Sequence, residues 1–99
     1  MSSDKTDRLA AVRKKFVASV KERADVLDNF LVDENSYNDW QSLQAMVHKI
    51  AGAAGFYGED DIARAAAQLD VQLQAKPAPE EFANISVELA SLIEQIRAL

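Results

Sequence analysis

Cysteine is absent from this 99-residue chain, which excludes disulfides and thiolate chemistry and is compatible with a reducing cytosol. Histidine occurs once, so neither a His/Cys ligand set nor a His-based catalytic pair is available, and no metal site is expected. No apolar run approaches the roughly 20 residues that cross a bilayer. The opening MSSDKTDR lacks the apolar core of a signal peptide. A cytoplasmic protein without a membrane partner is therefore expected. Basic residues are in deficit, 11 against 16 acidic, for a formal net charge of −5. Lys and Arg are scattered rather than gathered into a patch, which argues against nucleic acid. There is no glycine-rich phosphate loop and no room for a nucleotide-binding domain, so an autonomous kinase is excluded. Repeats, low-complexity segments and the period-two alternation of strands are missing as well.

What is present is an ordinary globular balance, 48% hydrophobic and 27% charged, in a chain sized for one core and one domain, 1–99. Apolar residues recur at three- and four-residue intervals in four stretches. Leu9, Val12, Phe16, Val20, Ala24, Leu27 and Leu31 mark the first, and the polar run from Asp33 to Asp39 ends it and offers N-caps for the next. Trp40, Leu43, Val47, Ile50, Ala54 and Tyr57 form a second seam; Ile62, Ala66, Leu69 and Leu73 a third. Gly58 suits a left-handed helix end, and Glu59, Asp60 and Asp61 suit the positive start of the third helix. Lys76–Glu81, with Pro77 and Pro79, separates it from a fourth seam of Phe82, Ile85, Leu89, Leu92, Ile96 and Leu99. The expectation is an all-α, antiparallel up-down-up-down four-helix bundle, with helices at roughly 5–32, 38–57, 59–75 and 79–98. Trp40, Phe56 and Tyr57 are read as core rather than recognition aromatics.

The second helix carries HKIAGAAGFYG, from His48 to Gly58. Each glycine inside a helix costs about 1 kcal/mol relative to alanine, so Gly52 and Gly55 call for a reason. At about 100° per residue, His48 lies about 130° from the helix's apolar seam, Gly52 about 170° and Gly55 about 110°. The only histidine thus faces outward, on a stripe whose next positions carry no side chain to shield it. If the chain reverses near Gly58, Asp70 returns to nearly the level of His48 on the third helix, about 70° off that helix's seam and beside Ala63, Ala67 and Gln74. A carboxylate there would accept a hydrogen bond from one imidazole nitrogen and leave the other as the lone-pair nucleophile. Taken singly, a lone histidine is most often an ordinary surface residue, Asp70 a solvated one, and small residues often serve close helix packing.

His48-Lys-Ile-Ala-Gly52-Ala-Ala-Gly55-Phe-Tyr-Gly58 resembles the signature of histidine-containing phosphotransfer (HPt) domains of two-component phosphorelays. The likeness extends upstream to Trp40 and Leu43 and downstream through Ile62 to Leu69-Asp70, where the family has leucine followed by an acidic residue or glutamine. The resemblance implies a phosphocarrier rather than an enzyme. His48 would take a phosphoryl group from the phosphoaspartate of a response-regulator receiver domain, or of the receiver of a hybrid histidine kinase, and hand it to another receiver. Asp70 would hold the remaining ring nitrogen, and Gly52 and Gly55 would admit the partner. Mg²⁺ would come with the receiver, and this chain would bind no cofactor. One departure stands out: many members carry lysine three residues after the histidine, and this chain has Ala51. Lys49, about 100° around the helix from His48, is the remaining candidate to reach the phosphate.

Around His48 the expected docking surface has small residues, Ala45, Ala51, Gly52, Gly55 and Ala67, ringed by Gln41, Gln44, Lys49 and Arg64. A monomer is expected, because a closed bundle uses its coiled-coil-like seams internally. The alternative is a non-transferring helical bundle that binds receivers or self-associates. The initial methionine and the lack of a linker suggest a free-standing protein.

Overall fold

The computed structural model describes residues 2–32 and 39–99. It contains α1 (Ser2–Val32), α2 (Trp40–Phe56), α3 (Asp60–Gln74) and α4 (Phe82–Arg97), with a short 3₁₀ turn at Pro79–Glu81 leading into α4. No strand occurs among the described residues. The part of the polar run at 33–38, with its candidate N-caps and the start expected for the second helix, lies outside them; Asp39 precedes α2 without a side-chain capping bond.

The seams of the last three helices are buried. Leu43, Val47, Ile50 and Ala54 of α2, Ile62, Ala66, Leu69 and Leu73 of α3, and Ile85, Leu89, Leu92 and Ile96 of α4 join one cluster. Phe16, Val20, Ala24 and Leu27 complete it from α1. Each large side chain in such a cluster contributes about 1.5–3 kcal/mol through loss of water contact. Trp40, Tyr57, Leu31 and Leu99 pack half-buried at its edges.

Two expectations fail, one of them from periodicity. Leu9 and Val12 share the stripe of Phe16 and Leu27, yet they are 66% and 44% exposed. The cause is length: α1 has 31 residues and α2 only 17, so α1 outruns its neighbour by about 20 Å. Its first turns have an apolar face and nothing of equal length to bury it against. Phe56, expected in the core, is 82% exposed, because the seam of α2 continues through Tyr57 instead. Helix ends shift by a few residues, most visibly at α4, where the 3₁₀ turn occupies the expected first turn.

The α2–α3 connection is set by local chemistry. Gly58 has φ +78°, a left-handed conformation that costs glycine nothing. The Glu59 N–H donates to Ala54 O at 2.8 Å and the Gly58 N–H to Gly55 O at 3.2 Å, closing a Schellman end. Two acids, Asp60 and Asp61, open α3, where the helix dipole favours them. Arg13 of α1 ties the turn down through an ion pair to Glu59 and a 3.4 Å bond to Tyr57 O. At the far end of α3, Lys76 has φ 53° just before Pro77, which stops the helix. No helix among the described residues is long and apolar enough to cross a membrane.

Candidate functional site

The tight turn folds α3 back along α2, so Gly55 faces Ala63 and His48 faces Asp70. Val47 is fully buried, and its neighbour His48 therefore projects outward, with a side chain 68% exposed. On α3 the inward seam passes through Leu69, and Asp70 beside it is carried to the edge of the core, 7% exposed. It is the single buried charged side chain among the described residues.

An isolated carboxylate there would be costly, and three donors offset the cost. Gln44 Nε2 donates to Asp70 Oδ1 at 2.7 Å, Gln74 Nε2 to the same oxygen at 3.3 Å, and His48 Nδ1 lies 2.8 Å from Oδ2. Burial pushes the Asp70 carboxyl up, but the hydrogen bonds from Gln44, His48 and Gln74, with the charge of His48, bring it below its ordinary value. Asp70 is then ionised at neutral pH and can only accept. His48 Nδ1 then donates to it, and in the neutral imidazole this puts the proton on Nδ1 and the lone pair on Nε2. The arrangement presents an outward nucleophilic nitrogen on a ring whose tautomer and orientation are fixed from behind.

Gly52 is exposed, and a Cβ built there meets nothing within 4 Å, so the surface beside the ring is open. A Cβ at Gly55 would sit 3.9 Å from Ala63 Cβ, ordinary contact against α3. Since Gly52→Ala gains helix propensity without a clash, thermal unfolding should show it about 0.5–1 kcal/mol more stable than the wild type. An unchanged or lower stability would mean that the missing side chain serves the fold.

The remaining expected site residues divide. Gln41, Ala45, Lys49, Arg64 and Ala67 are exposed; Arg64 lies 3.8 Å from Asp61 one turn earlier. Ala51 is half-buried against the core, which leaves it little docking surface. Gln44, expected at the docking rim, is half-buried and donates to Asp70. Gln74 was legible only as a member of Asp70's flank, although its i+4 spacing from Asp70 is the signal that announces the bond. Among the described residues no group of three or more His, Cys, Asp and Glu gathers into a metal-binding cluster.

Comparison with protein-family models matches residues 11–99 to the model of the Hpt domain. Searches of curated proteins and of solved structures found no match.

Proposed function

The chain belongs to the Hpt domain family, and on that premise we propose that it carries phosphoryl groups between receiver domains on His48. The observation that carries this reading is the 2.8 Å pairing of the exposed His48 side chain, through Nδ1, with the buried Asp70, which supports Nε2 as the lone-pair nitrogen of the neutral ring. In the forward step the Nε2 lone pair forms the P–N bond as the bond from phosphorus to the receiver's aspartyl oxygen breaks, and the receiver carboxylate leaves with the electron pair. The Nδ1 proton stays between the ring and Asp70, which stabilises the positive charge the imidazole acquires. Transfer onward is the reverse on a second receiver. Phosphoryl transfer through a loose transition state needs chiefly alignment and charge neutralisation. The chain supplies alignment. Mg²⁺ belongs to the receiver, and no kinase activity of the chain's own is needed.

The reading includes an antiparallel up-down-up-down bundle acting as a cytoplasmic monomer. Receivers dock on the surface made by Gln41, Ala45, Gly52, Gly55, Arg64 and Ala67 around the ring. The test is transfer from a ³²P-labelled receiver to the chain in Mg²⁺, beside His48→Gln. Acid-labile, base-stable label on the wild type alone is expected. Label on both would move the chemistry off His48, and label on neither, across the receivers of the source organism, would leave a bundle that does not transfer.

A further inference from the structure

Asp70 and the α3 side occupy one flank of His48; the opposite flank, between α1 and α2, has a different character. Two open grooves run there. One, of about 290 Å³, is lined by Lys15, Ser19, Arg23, Ala53 and Tyr57 among others. The next, of about 360 Å³, is lined by Arg23, Ser42, Ala45, Met46 and Lys49. Both are at the small end for a ligand pocket and open to the side, so they suit the surface of a macromolecule better than a small molecule. No carboxylate lines either groove, in a chain whose acids outnumber its bases by 16 to 11.

The cations along this flank are unspent. Arg13, Arg64 and Arg97 each have an acidic partner. Lys15, Arg23 and Lys49 have no ion pair among the described residues, and Arg23 is half-buried between the two grooves without one. Lys15, Ser19 and Arg23 follow one another at four-residue spacing on one stripe of α1. On α2, Ala45 and Lys49 line the second groove, and Phe56 lies two turns beyond Lys49, about 10 Å along the helix. Phe56 is 82% exposed and held edge-on by Tyr57 at 5.0 Å, and Tyr57 is stacked on Phe16 at 4.5 Å. The exposed ring therefore stands on a rigid base at the end of the cationic strip. A supported aromatic beside unpaired cations is the composition of an interface hot spot.

We infer that Lys15, Arg23, Lys49 and Phe56 form a selectivity surface for a receiver domain that presents carboxylates and an apolar recess next to its phosphorylated aspartate. This rests on the carrier reading and adds to it which receivers are preferred and by which flank they are held. The charges raise the rate of productive encounter with an acidic face, and Phe56 anchors the complex once formed. A receiver with a basic face meets the same strip with repulsion.

The experiment uses the whole chain and a panel of purified receivers from the source organism. Phosphoramidate, a small donor that needs no docking, is run in parallel to label His48 directly, its P–N bond breaking with release of ammonia. With the receiver that transfers fastest, the double variant Lys15→Glu/Arg23→Glu should slow transfer about tenfold or more at low salt, and the gap should close toward 0.5 M NaCl as the charges are screened. Phe56→Ala should slow it about tenfold at every salt concentration. Labelling by phosphoramidate should match the wild type in these variants, which shows that the fold and His48 are intact; Lys15→Glu alone, at an exposed position, serves if the double variant unfolds. Transfer within twofold of the wild type in the charge-reversed and Phe56→Ala variants overturns the inference while leaving the carrier reading in place. Binding of the wild type to phosphatidylglycerol vesicles that charge reversal abolishes, with transfer unchanged, would also overturn it and assign the strip to lipid. Failure of every receiver to transfer to the wild type removes the carrier reading, and this inference with it.

Discussion

Asp70→Ala should slow phosphoryl transfer to His48 by about ten- to hundredfold, the scale on which metal-bound histidines suffer when the carboxylate orienting them is removed. The variant keeps the outward imidazole and loses the acceptor that holds the proton on Nδ1. It also leaves the Gln44 and Gln74 carboxamides, which now donate to Asp70 Oδ1, without their shared partner. A merely structural role predicts a different result, so a second readout is needed. The ¹⁵N shifts of the His48 ring should report Nδ1 protonated and Nε2 bearing the lone pair in the wild type, and a tautomer mixture in Asp70→Ala. Slower transfer with an unchanged tautomer would assign the loss to something other than ring orientation.

Acid supplies a further arm of the same test. The folded-state carboxyl of Asp70 titrates below its ordinary value, so as pH falls through the ordinary carboxylate range the unfolded chain takes up a proton at this position more readily than the folded chain. Stability from this group is therefore present above pH 4 and is lost as pH falls through the lowered folded value. Compared with Asp70→Asn, which cannot titrate, the wild type should lose more stability between neutral pH and about pH 2. The difference between the two is the quantity to follow by urea unfolding, because the other carboxylates are common to both. A difference independent of pH would show that the ionised form is not specially held.

Leu27→Ala should be strongly destabilising, and Leu9→Ala on the same helix nearly silent. Leu27 is 0% exposed within the common cluster, whereas Leu9 is 66% exposed on the overhanging turns. Removing a fully buried leucine costs about 2–5 kcal/mol through lost transfer energy and the cavity left behind. For a chain of this size that lowers the melting temperature by more than about 10 °C. A leucine that is already in water stays within about 0.5 kcal/mol when shortened. The two residues are indistinguishable by periodicity, so a pair of thermal melts separates pattern from packing. Comparable losses in both would mean that the first turns of α1 are covered in solution.

Most of the last three helices was legible, because a buried face needs only a local repeat of three and four and the chain keeps that repeat without interruption. Gly58 announced the turn by its own freedom at positive φ. The outward placement of His48 followed from angle alone, since Val47 beside it had to point inward. Gln44 was read only as docking rim, and its bond to Asp70 was not foreseen. It lies four residues before His48 and shares its side of α2, and nothing in α2 alone says that a carboxylate of α3 stands against that side. Phe56 was placed in the core on its apolarity, whereas the angle set by Tyr57 puts it outside.

The sequence by itself determined the helical class, the stripe each helix buries, and the single outward histidine with open glycines beside it. These depend on the rotation per residue and on backbone conformations that each residue carries with it. Tertiary structure alone decided the rest: how deep Asp70 sits, that two glutamines and the imidazole converge on it, that α1 outruns the helix beside it, and that Lys15 and Arg23 line up beside α2. Those relations join residues from different helices. Their distances follow from relative axial placement, which periodicity within one helix does not encode, since a stripe states which side faces a neighbour and not what that neighbour brings.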